Sequence, residues 1–414
     1  MKKIVEILLK QATKIALKRN GYRIVAITGS AGKTSTKKAI SLVLKQKYKV
    51  LVTEEENYNT EFGLPLTVLG KRTPPSKFGW ISLTLSSFFS SLKKTNYEYL
   101  IVEMAADKPG DIEYLADFVR PNVAVVTNIF PVHLLKFKTI DSITSEKAKI
   151  LNGLQEGDWA VLNYDDNKVA RMKVPAEAQS ISFGKKSDRV KIVSQKIDHE
   201  ISVNTFIVDG KEIEVTVRAL GEHLLTIFGA AIAVGLAEGV PLESIITGLE
   251  KFQPIKGRSN IIEGIKGSLI IDDSYNANPA SMKVAINTLQ KIRGERRIAL
   301  LGNMNELGDS QESGHREVAE FLKGKCDVLV TVGEVARRYI ADEIKKSEKI
   351  PIFSFMKSEQ AGDFLSDYIK KGDVILAKGS QNGVWMERAV KKIMAEPNRA
   401  GQLLPRQSNS WSKK

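Results

Sequence analysis

One stretch decides the fold: Ile24-Val25-Ala26-Ile27-Thr28-Gly29-Ser30-Ala31-Gly32-Lys33-Thr34-Ser35-Thr36. Its apolar first half predicts a buried strand that ends at Gly29, and small residues then lead through Gly32-Lys33-Thr34 to a helix from Lys37. Strand, glycine-rich turn and helix in this order are typical of a loop that holds nucleotide phosphates, with backbone N–H groups, a lysine and a hydroxyl on Mg²⁺. The loop is shorter than the general G-x-x-x-x-G-K-[ST] pattern, so a glycine-rich turn with a solvated lysine is the alternative.

Length and composition are those of a globular protein of two or three domains. The 414 residues are 43% hydrophobic and 27% charged, enough to build full hydrophobic cores. Lysine and arginine total 62 against 48 aspartate and glutamate, and the net charge of +14 favours anionic partners such as nucleotides, phosphorylated substrates, nucleic acid or a membrane surface. The single cysteine, Cys326, excludes an internal disulfide and fits a reducing cytosol.

The first 20 residues mix apolar and basic side chains, which predicts a basic amphipathic helix over residues 1–21. No apolar run there is long enough to span a bilayer, and no signal-peptide cleavage site follows. Two interpretations stay open: a helix that lies on an anionic membrane surface, and a helix that packs on its own domain. The apolar, serine-rich segment 73–94 predicts a surface helix or an insertion rather than a membrane span.

Two later strands end in side chains that suit a nucleotide site. The predicted strand 99–104 carries Glu103 at its carboxyl end, and the strand 123–129 leads to His133. Because ligands of doubly wound sheets bind at the carboxyl ends of the strands, we expect Glu103 to ligate Mg²⁺. For His133 a metal or phosphate role and a purely structural role are both open. A helix predicted over 144–150 carries Lys147, and lysines in such a helix are ordinarily solvated.

The remaining pattern predicts an α/β protein with two sheets. Strands at 159–162 and 180–183 precede an alternating region, 190–217, that indicates added antiparallel strands. A segment rich in Pro and Gly, 253–258, separates this part from a second alternation of strands and helices that predicts a Rossmann-like sheet. The predicted domains are an amphipathic helix at 1–21, a P-loop domain with a mostly parallel sheet at 22–254, a Rossmann-like domain at 255–395 and a disordered tail at 396–414.

Three motifs give the chain a resemblance to the Mur ligase family, and in particular to its MurF-type branch, over about residues 22–393. They are Thr28-Gly29-Ser30-Ala31-Gly32-Lys33-Thr34-Ser35, then Asp272-Asp273-Ser274-Tyr275-Asn276-Ala277-Asn278-Pro279, and Gly302-Asn303-Met304-Asn305-Glu306-Leu307-Gly308 followed by His315-Arg316-Glu317-Val318. The resemblance implies a cytoplasmic, ADP-forming ligase of peptidoglycan precursor synthesis that uses ATP and Mg²⁺. Its implied partners are a UDP-N-acetylmuramoyl-tripeptide and D-Ala-D-Ala, which are joined through an acyl phosphate; no nucleic acid is implied.

The resemblance also implies roles for individual residues. Lys33 would hold the transferred phosphoryl group, Thr34 and Glu103 would hold Mg²⁺, and His133 and a carbamylated Lys147 would complete the metal site. The catalytic set is thus Lys33, His133 and Lys147. The ATP-binding set comprises the loop residues Gly29, Ser30, Ala31, Gly32, Lys33, Thr34 and Ser35 together with Arg258 for the phosphates, Asp273 for the ribose, and Asn276 and Asn278. Near the dipeptide site would lie Glu306, His315 and Lys378.

Three departures from the family pattern affect these expectations. The family's separate domain for the UDP-sugar is not seen before the phosphate loop, so recognition of that part of the substrate is in question. Leu224 and Ile227 stand where the family usually has asparagines, which would alter the adenine contact. The segment Lys378-Gly379-Ser380-Gln381-Asn382 lacks the arginine that usually follows Gly-Ser, which weakens a carboxylate clamp for the dipeptide.

Other functions remain as alternatives. A Mur-like ligase that acts on a different acid, such as a folate, a polymer or a lipid-linked precursor, would explain the departures, although the second-domain motifs favour the MurF type. A basic P-loop protein that binds nucleic acid is the minor alternative, because no interleaved basic and aromatic stacking surface is apparent. A non-catalytic descendant is disfavoured by the joint presence of Lys33, Glu103, His133 and Lys147.

Overall fold

The computed structural model describes residues 2–53, 58–74, 77–131, 134–198, 200–381, 383–407 and 411. Two compact units divide the chain. The first comprises Met1–Ser194, Asn204–Val215 and Leu225–Phe252, and the second comprises Gln195–Val203, Thr216–Leu224 and Gln253–Lys414. A single boundary after residue 254 therefore describes the division incompletely, because two short earlier segments also belong to the second unit.

Within the described residues the first sheet has nine strands: β1 Arg23–Thr28, β2 Val50–Val52, β3 Tyr99–Glu103, β4 Val123–Val126, β5 Trp159–Asn163, β6 Gln179–Gly184, β7 Val190–Asp198, β8 Ile201–Val208 and β9 Lys211–Val217. They lie in the order β2-β3-β1-β4-β5-β6-β7-β8-β9, and the pairs from β2 to β6 are parallel. Between β8 and β9, Asp209 and Gly210 both have positive φ, which is the two-residue turn of an antiparallel hairpin. The predicted mostly parallel sheet with antiparallel additions is confirmed.

The helices of this part are α1 Lys2–Asn20, α2 Lys33–Leu44, α3 Gly63–Val68, α4 Lys77–Ser91, α5 Asp111–Ala116, α6 Leu134–Phe137, α7 Ile140–Ala148, α8 His223–Ala237 and α9 Leu242–Glu250. Helix α2 begins at Lys33, so the expected start at Lys37 is wrong. The reason is Gly32, whose φ of 79° makes the left-handed turn directly before the helix. Lys33 and Thr34 therefore lie in the first helical turn, where unpaired N–H groups are found.

Helix α1 packs on its own domain. Val5, Leu9, Ala12 and Ala16 are buried in the core that also contains Leu100 of β3. This packing agrees with the second interpretation of the segment and leaves the membrane contact of its exposed face a prediction. Among the helices of the described residues, none combines the length and the apolar character that a membrane span requires.

Within the described residues the second sheet has six strands: β10 Asn260–Glu263, β11 Leu269–Asp273, β12 Arg296–Gly302, β13 Val328–Val332, β14 Ile352–Phe355 and β15 Asp373–Lys378. Their order is β10-β11-β15-β12-β13-β14, with β10 antiparallel to β11 and the other pairs parallel. Neighbouring residues of β11, Ile270 and Ile271, enter different hydrophobic cores. The sheet is thus covered on both faces, as expected for the Rossmann-like fold.

Its helices are α10 Pro279–Lys291, α11 Gln311–Leu322, α12 Glu334–Ala336, α13 Asp342–Ser347, α14 Ser358–Tyr368, α15 Glu387–Ile393 and α16 Ala400–Leu403. The expectation of a disordered tail from residue 396 is wrong up to residue 407. A short 3₁₀ turn and α16 lead there to Leu404, which is 1% exposed. The low apolar content of this segment predicted disorder, but a few apolar side chains are enough to hold a short segment against an existing core.

Candidate active site

The phosphate loop is held by the residues that follow β4. The N–H groups of Ser30 and Ala31 donate to the main-chain oxygen and the Oδ1 of Asn128, at 2.9 and 2.8 Å. Gly29 has a φ of 151°, and a Cβ there would lie 2.0 Å from Thr127 Oγ1, so only glycine fits this close approach. Thr127 and Asn128 were not predicted as site residues, although two polar side chains directly after a buried strand are a signal for such a role.

Lys33 lies in the first turn of α2, and its Nζ donates to the carbonyl oxygen of Gly29 at 2.9 Å. The ammonium group is therefore held over the loop rather than extended into solvent. The beginning of α2 adds N–H groups and the positive end of the helix dipole at the same place. A loop, a lysine and a helix N-terminus arranged in this way form an anion site suited to nucleotide phosphates.

Thr34 and Glu103 lie in contact. The Thr34 hydroxyl donates to Glu103 Oε2 at 3.2 Å, and Glu103 Oε1 forms an ion pair with Lys37 Nζ at 3.0 Å. The side chains of Lys37 and Glu103 are only 7% and 6% exposed, so this pair is largely shielded from water. Lys37 was not predicted as a site residue, although it lies one helical turn after Lys33 and so faces the same side of α2.

The Thr34–Glu103 pair suits Mg²⁺, which takes oxygen ligands and is usually held by one or two carboxylates together with substrate phosphates and water. The described residues contain no group of three or more His, Cys, Asp or Glu side chains that would hold a metal ion without such help. His133, the other predicted metal ligand, lies outside the described residues.

Lys147 of α7 is buried, with 2% exposure, so the expectation of a solvated lysine is wrong. Burial, and after it the nearby Lys33 charge, lower the pKa of Lys147 to about 7, although the charges of Asp107 and Glu146 oppose the shift. A large fraction of this amine is therefore neutral near neutral pH, and the neutral form is the nucleophilic one. Local sequence gave no sign of this, because the burial comes from the tertiary fold.

The neighbouring Glu146 anchors α7. It accepts the N–H groups of Gly110 and Ile112 at 2.9 and 2.8 Å, and Lys149 pairs with it at 3.1 Å. Burial alone would raise the pKa of Glu146, but these three partners together keep it below its usual value. The carboxylate thus stays charged and ties α7 to the start of α5.

The predicted ATP residues of the second unit cluster at the carboxyl ends of β11 and β15. Asp273 Oδ2 pairs with Lys378 Nζ at 2.6 Å, and Lys378 also donates to the carbonyl oxygen of Asn276 at 2.9 Å. Arg258 stacks over the Tyr275 ring at 4.3 Å, and its buried Nε has no hydrogen-bond partner among the described atoms. Lys378, with 3% side-chain exposure, is bound to Asp273 instead of standing open to a ligand.

Asn276 and Glu306 are joined at the mouth of this cluster. Asn276 Nδ2 donates to Glu306 at 3.3 Å, and Gln381 Nε2 donates to the other Glu306 oxygen at 3.2 Å. Asn278 instead caps α10: its Oδ1 accepts the N–H of Ser281 at 2.9 Å. The side chain of Asn278 therefore has a structural role in starting the helix.

His315 does not face a ligand. It is fully buried in α11, its Nε2 accepts the N–H of Met304 at 3.0 Å, and its Nδ1 lies 2.6 Å from the carbonyl oxygen of Gln311. Burial lowers the pKa of His315, so the ring is neutral with its proton on Nδ1. The expectation of His315 at the dipeptide site is corrected accordingly: it holds the segment after β12 in place.

The segment 221–227 contributes one residue to the polar cluster of the second unit and two residues to the hydrophobic interior. His223 lies close enough to Arg258, Asp273 and Lys378 for their charges to act on it, although burial is the main cause of its lowered pKa. Leu224 and Ile227 are 2% and 3% exposed and belong to the hydrophobic interior. The sequence singled out the last two and not His223, which joins the polar cluster.

The C-terminal segment supplies a clamp that the sequence did not indicate. Arg406 forms an ion pair with Glu387 through Nε at 2.7 Å, and its other nitrogens donate to the carbonyl oxygens of Ser274 and Tyr275 at 2.8 and 3.1 Å. The side chains of Arg406 and Glu387 are 6% and 3% exposed. Arg406 thus fixes the turn that carries Asp273 and Asn276.

A phosphate loop with a Thr–Glu pair on one doubly wound sheet, and a second Rossmann-like unit with its own polar cluster, define an ATP-dependent enzyme of the P-loop class. The sequence profile of the Mur ligase middle domain matches residues 27–235, and that of the Mur ligase glutamate ligase domain matches residues 257–381. The chain therefore belongs to the Mur ligase family.

Three similar proteins are of the MurF type. The UDP-N-acetylmuramoyl-tripeptide–D-alanyl-D-alanine ligase of Bacillus subtilis is 30% identical over 94% of this chain and 79% of its own length. MurF ligase from Thermotoga maritima, solved in complex with ADP, has a TM-score of 0.79 at 29% identity over 94% of this chain and 83% of the other. MurF from Acinetobacter baumannii has a TM-score of 0.78 at 27% identity, over 93% and 79%.

Proposed function

We propose that this protein is an ADP-forming ligase that joins D-alanyl-D-alanine to a UDP-linked muramoyl tripeptide, the reaction named for its relatives. The observation that carries the proposal is the anion site at the start of α2, where Lys33 is held over the loop and Thr34 contacts Glu103. Such a site supplies charge and alignment rather than a protein nucleophile, which is what phosphoryl transfer requires.

In the first step the substrate carboxylate attacks the γ-phosphorus of ATP, the bond to the β-phosphate oxygen breaks, and ADP leaves. The amine of the dipeptide then attacks the acyl carbon, loses a proton and displaces phosphate. Lys33 and the N–H groups of α2 stabilise the charge on the transferred group. Thr34 and Glu103 would hold Mg²⁺, which supplies further charge neutralisation when bound. Lys37 holds the Glu103 side chain in place through their buried ion pair.

Lys147 is proposed to carry a carbamate. Its buried position near Lys33 and Asp107 supports this, because a neutral amine in such a site adds CO₂ and releases one proton. The resulting anion would balance the Lys33 charge and provide further oxygen ligands beside Asp107 and Glu146. His133 stays a proposed member of the same metal site.

In the second unit Arg258, Asp273 and Asn276 are proposed to bind ATP. The stacked, incompletely hydrogen-bonded guanidinium of Arg258 supports a role with phosphates, which accept the donors that the protein leaves unused. Glu306, with Gln381, is proposed for the incoming dipeptide, whose ammonium group suits a carboxylate. Lys378 would act by orienting Asp273.

The proposed location is the cytoplasm, and the proposed partners are the two substrates named above. ATP as cosubstrate and the buried thiol of Cys326 support a reducing, ATP-containing compartment. The buried face of α1 covers the core. Contact of its exposed face with a membrane surface stays a proposal.

The test is ADP release by the purified chain with ATP and Mg²⁺, with the tripeptide nucleotide and D-Ala-D-Ala added singly and together. We expect release only with both, and a loss of about 10²–10³ in kcat for Lys33→Ala. Lys45→Ala, at the other end of the same helix and exposed, is the matched control with unchanged kcat. Release that needs neither substrate, or only a different acid, would refute the proposed substrates.

A further inference from the structure

Helix α4 exposes a line of large apolar side chains. Ile81, Leu85 and Phe89, with Leu92 directly after the helix, lie on successive turns of one face and are 49%, 63%, 73% and 56% exposed. Ser82 and Ser86 lie between them, and a groove of about 500 Å³ follows this face. Single exposed apolar residues are common in monomeric proteins, but a continuous line of this kind marks an interaction surface.

Helix α1 lies beside α4 and widens this surface. At one end the Thr95 N–H donates to Asn20 Oδ1 at 2.7 Å, which joins the residues that follow the two helices. At the other end Lys2 lies over Phe62, and Phe62 packs edge-on against Trp80. The two helices are therefore parallel neighbours. Both cover the same core, so their exposed faces point the same way, and α1 adds three exposed isoleucines, Ile4, Ile7 and Ile15.

Exposed cations border the apolar line. The Asn20–Thr95 contact brings the ends of the helices together, so that Lys18 and Arg19 lie near Lys93 and Lys94. These four side chains, and Lys3 at the other end, are exposed and form no ion pair within the part of the chain that the structure describes. The segment 77–94 contains three lysines and no acidic residue.

We propose that this α1–α4 surface docks on an anionic lipid bilayer, with Leu85 and Phe89 inserted between headgroups and the flanking cations bound to lipid phosphates. Apolar side chains on one face, bordered by lysines, are the pattern of helices that lie in the membrane interface. A second copy of the chain fits less well, because a parallel pairing of two α4 helices would bring the exposed Lys93 and Lys94 of one copy against those of the other. Membrane contact was expected for α1 alone, and the proposed surface adds α4 to it. This proposal does not rest on the proposed function.

The test is co-sedimentation of the full chain with phosphatidylcholine vesicles that contain or lack phosphatidylglycerol. We expect binding to the anionic vesicles only, weakened by salt because exposed charges are screened. Leu85→Ser with Phe89→Ser should reduce partitioning at least about tenfold. Lys93→Gln with Lys94→Gln should reduce it about 30-fold, since each cation near an anionic surface contributes roughly fivefold.

Matched controls lie in the second unit. Met356→Ser removes a side chain that is 60% exposed, and Lys370→Gln with Lys371→Gln removes two adjacent exposed lysines; both should bind vesicles like the unmodified chain. All variants should keep its melting temperature and its ADP release in solution. Failure of the unmodified chain to bind anionic vesicles, or binding that survives the Leu85 and Phe89 changes, would overturn the proposal. So would a concentration-dependent dimer in sedimentation velocity that these changes abolish, which would identify a second copy as the occupant.

Discussion

Replacing Arg406 by alanine should destabilise the second unit severely. The guanidinium neutralises Glu387 and donates to the carbonyl oxygens of Ser274 and Tyr275, and both charged side chains are nearly inaccessible. Arg406→Ala leaves the Glu387 carboxylate buried without its partner, which costs about 3–5 kcal/mol. For a unit of this size a loss of 1 kcal/mol lowers Tm by about 2–4 °C, so we expect a decrease of roughly 6–20 °C.

Thermal unfolding followed by circular dichroism measures this decrease. Arg399→Ala is the matched control, since Arg399 pairs with Glu396 at 2.7 Å but both side chains are more than half exposed; exposed pairs contribute only about 0–1 kcal/mol. The double change Arg406→Leu with Glu387→Leu should recover much of the loss, because no unpaired charge is then buried. An Arg406→Ala Tm within about 1 °C of the control would refute the reasoning.

Three further predictions concern single side chains. Protein equilibrated with ¹³C-bicarbonate should show a carbamate resonance that Lys147→Arg abolishes, and a resonance that persists in the variant would assign the modification elsewhere. Burial lowers the pKa of His315 in the folded protein, so the unfolded chain binds more protons at this residue than the folded one as the pH falls. The contribution of neutral His315 to the free energy of unfolding is therefore complete above about pH 6.5 and decreases below it. His315→Gln should therefore show a smaller decrease in Tm between about pH 7 and pH 5 than the unmodified chain, and an equal decrease would contradict this. Burial raises the pKa of the Cys326 thiol to about 12, so an aromatic disulfide reagent should react only after unfolding; rapid reaction of the native protein would be the contrary result.

The phosphate loop was predictable from sequence because its determinants are local. An apolar strand, Gly29 and Gly32 with positive φ, and Lys33 with Thr34 follow one another within a few residues. The alternation of strands and helices in the second unit is likewise local, since each strand carries its own apolar pattern. Within this stretch only the start of α2 was predicted wrongly. The helix begins at Lys33, directly after Gly32, and not at Lys37.

The contacts that complete the candidate site join residues far apart in sequence. Lys37 and Glu103 meet because β3 ends beside α2, and nothing in either local pattern indicates that the lysine is buried. Lys147 has the same sequence environment as a solvated helical lysine, yet the fold covers it. Arg406 lies in a polar segment whose order depends on Glu387 and on the turn after β11. Such tertiary burial leaves no periodic signal.

The central claim, an ATP-dependent ligation through an acyl phosphate, is tested most directly by isotope transfer. The tripeptide nucleotide is labelled with ¹⁸O in its terminal carboxylate and incubated with the enzyme, ATP, Mg²⁺ and D-Ala-D-Ala. The proposed chemistry moves one carboxylate oxygen to the γ-phosphorus, so the inorganic phosphate released should carry one ¹⁸O atom per product formed. Unlabelled phosphate released alongside the ligated product would contradict the account.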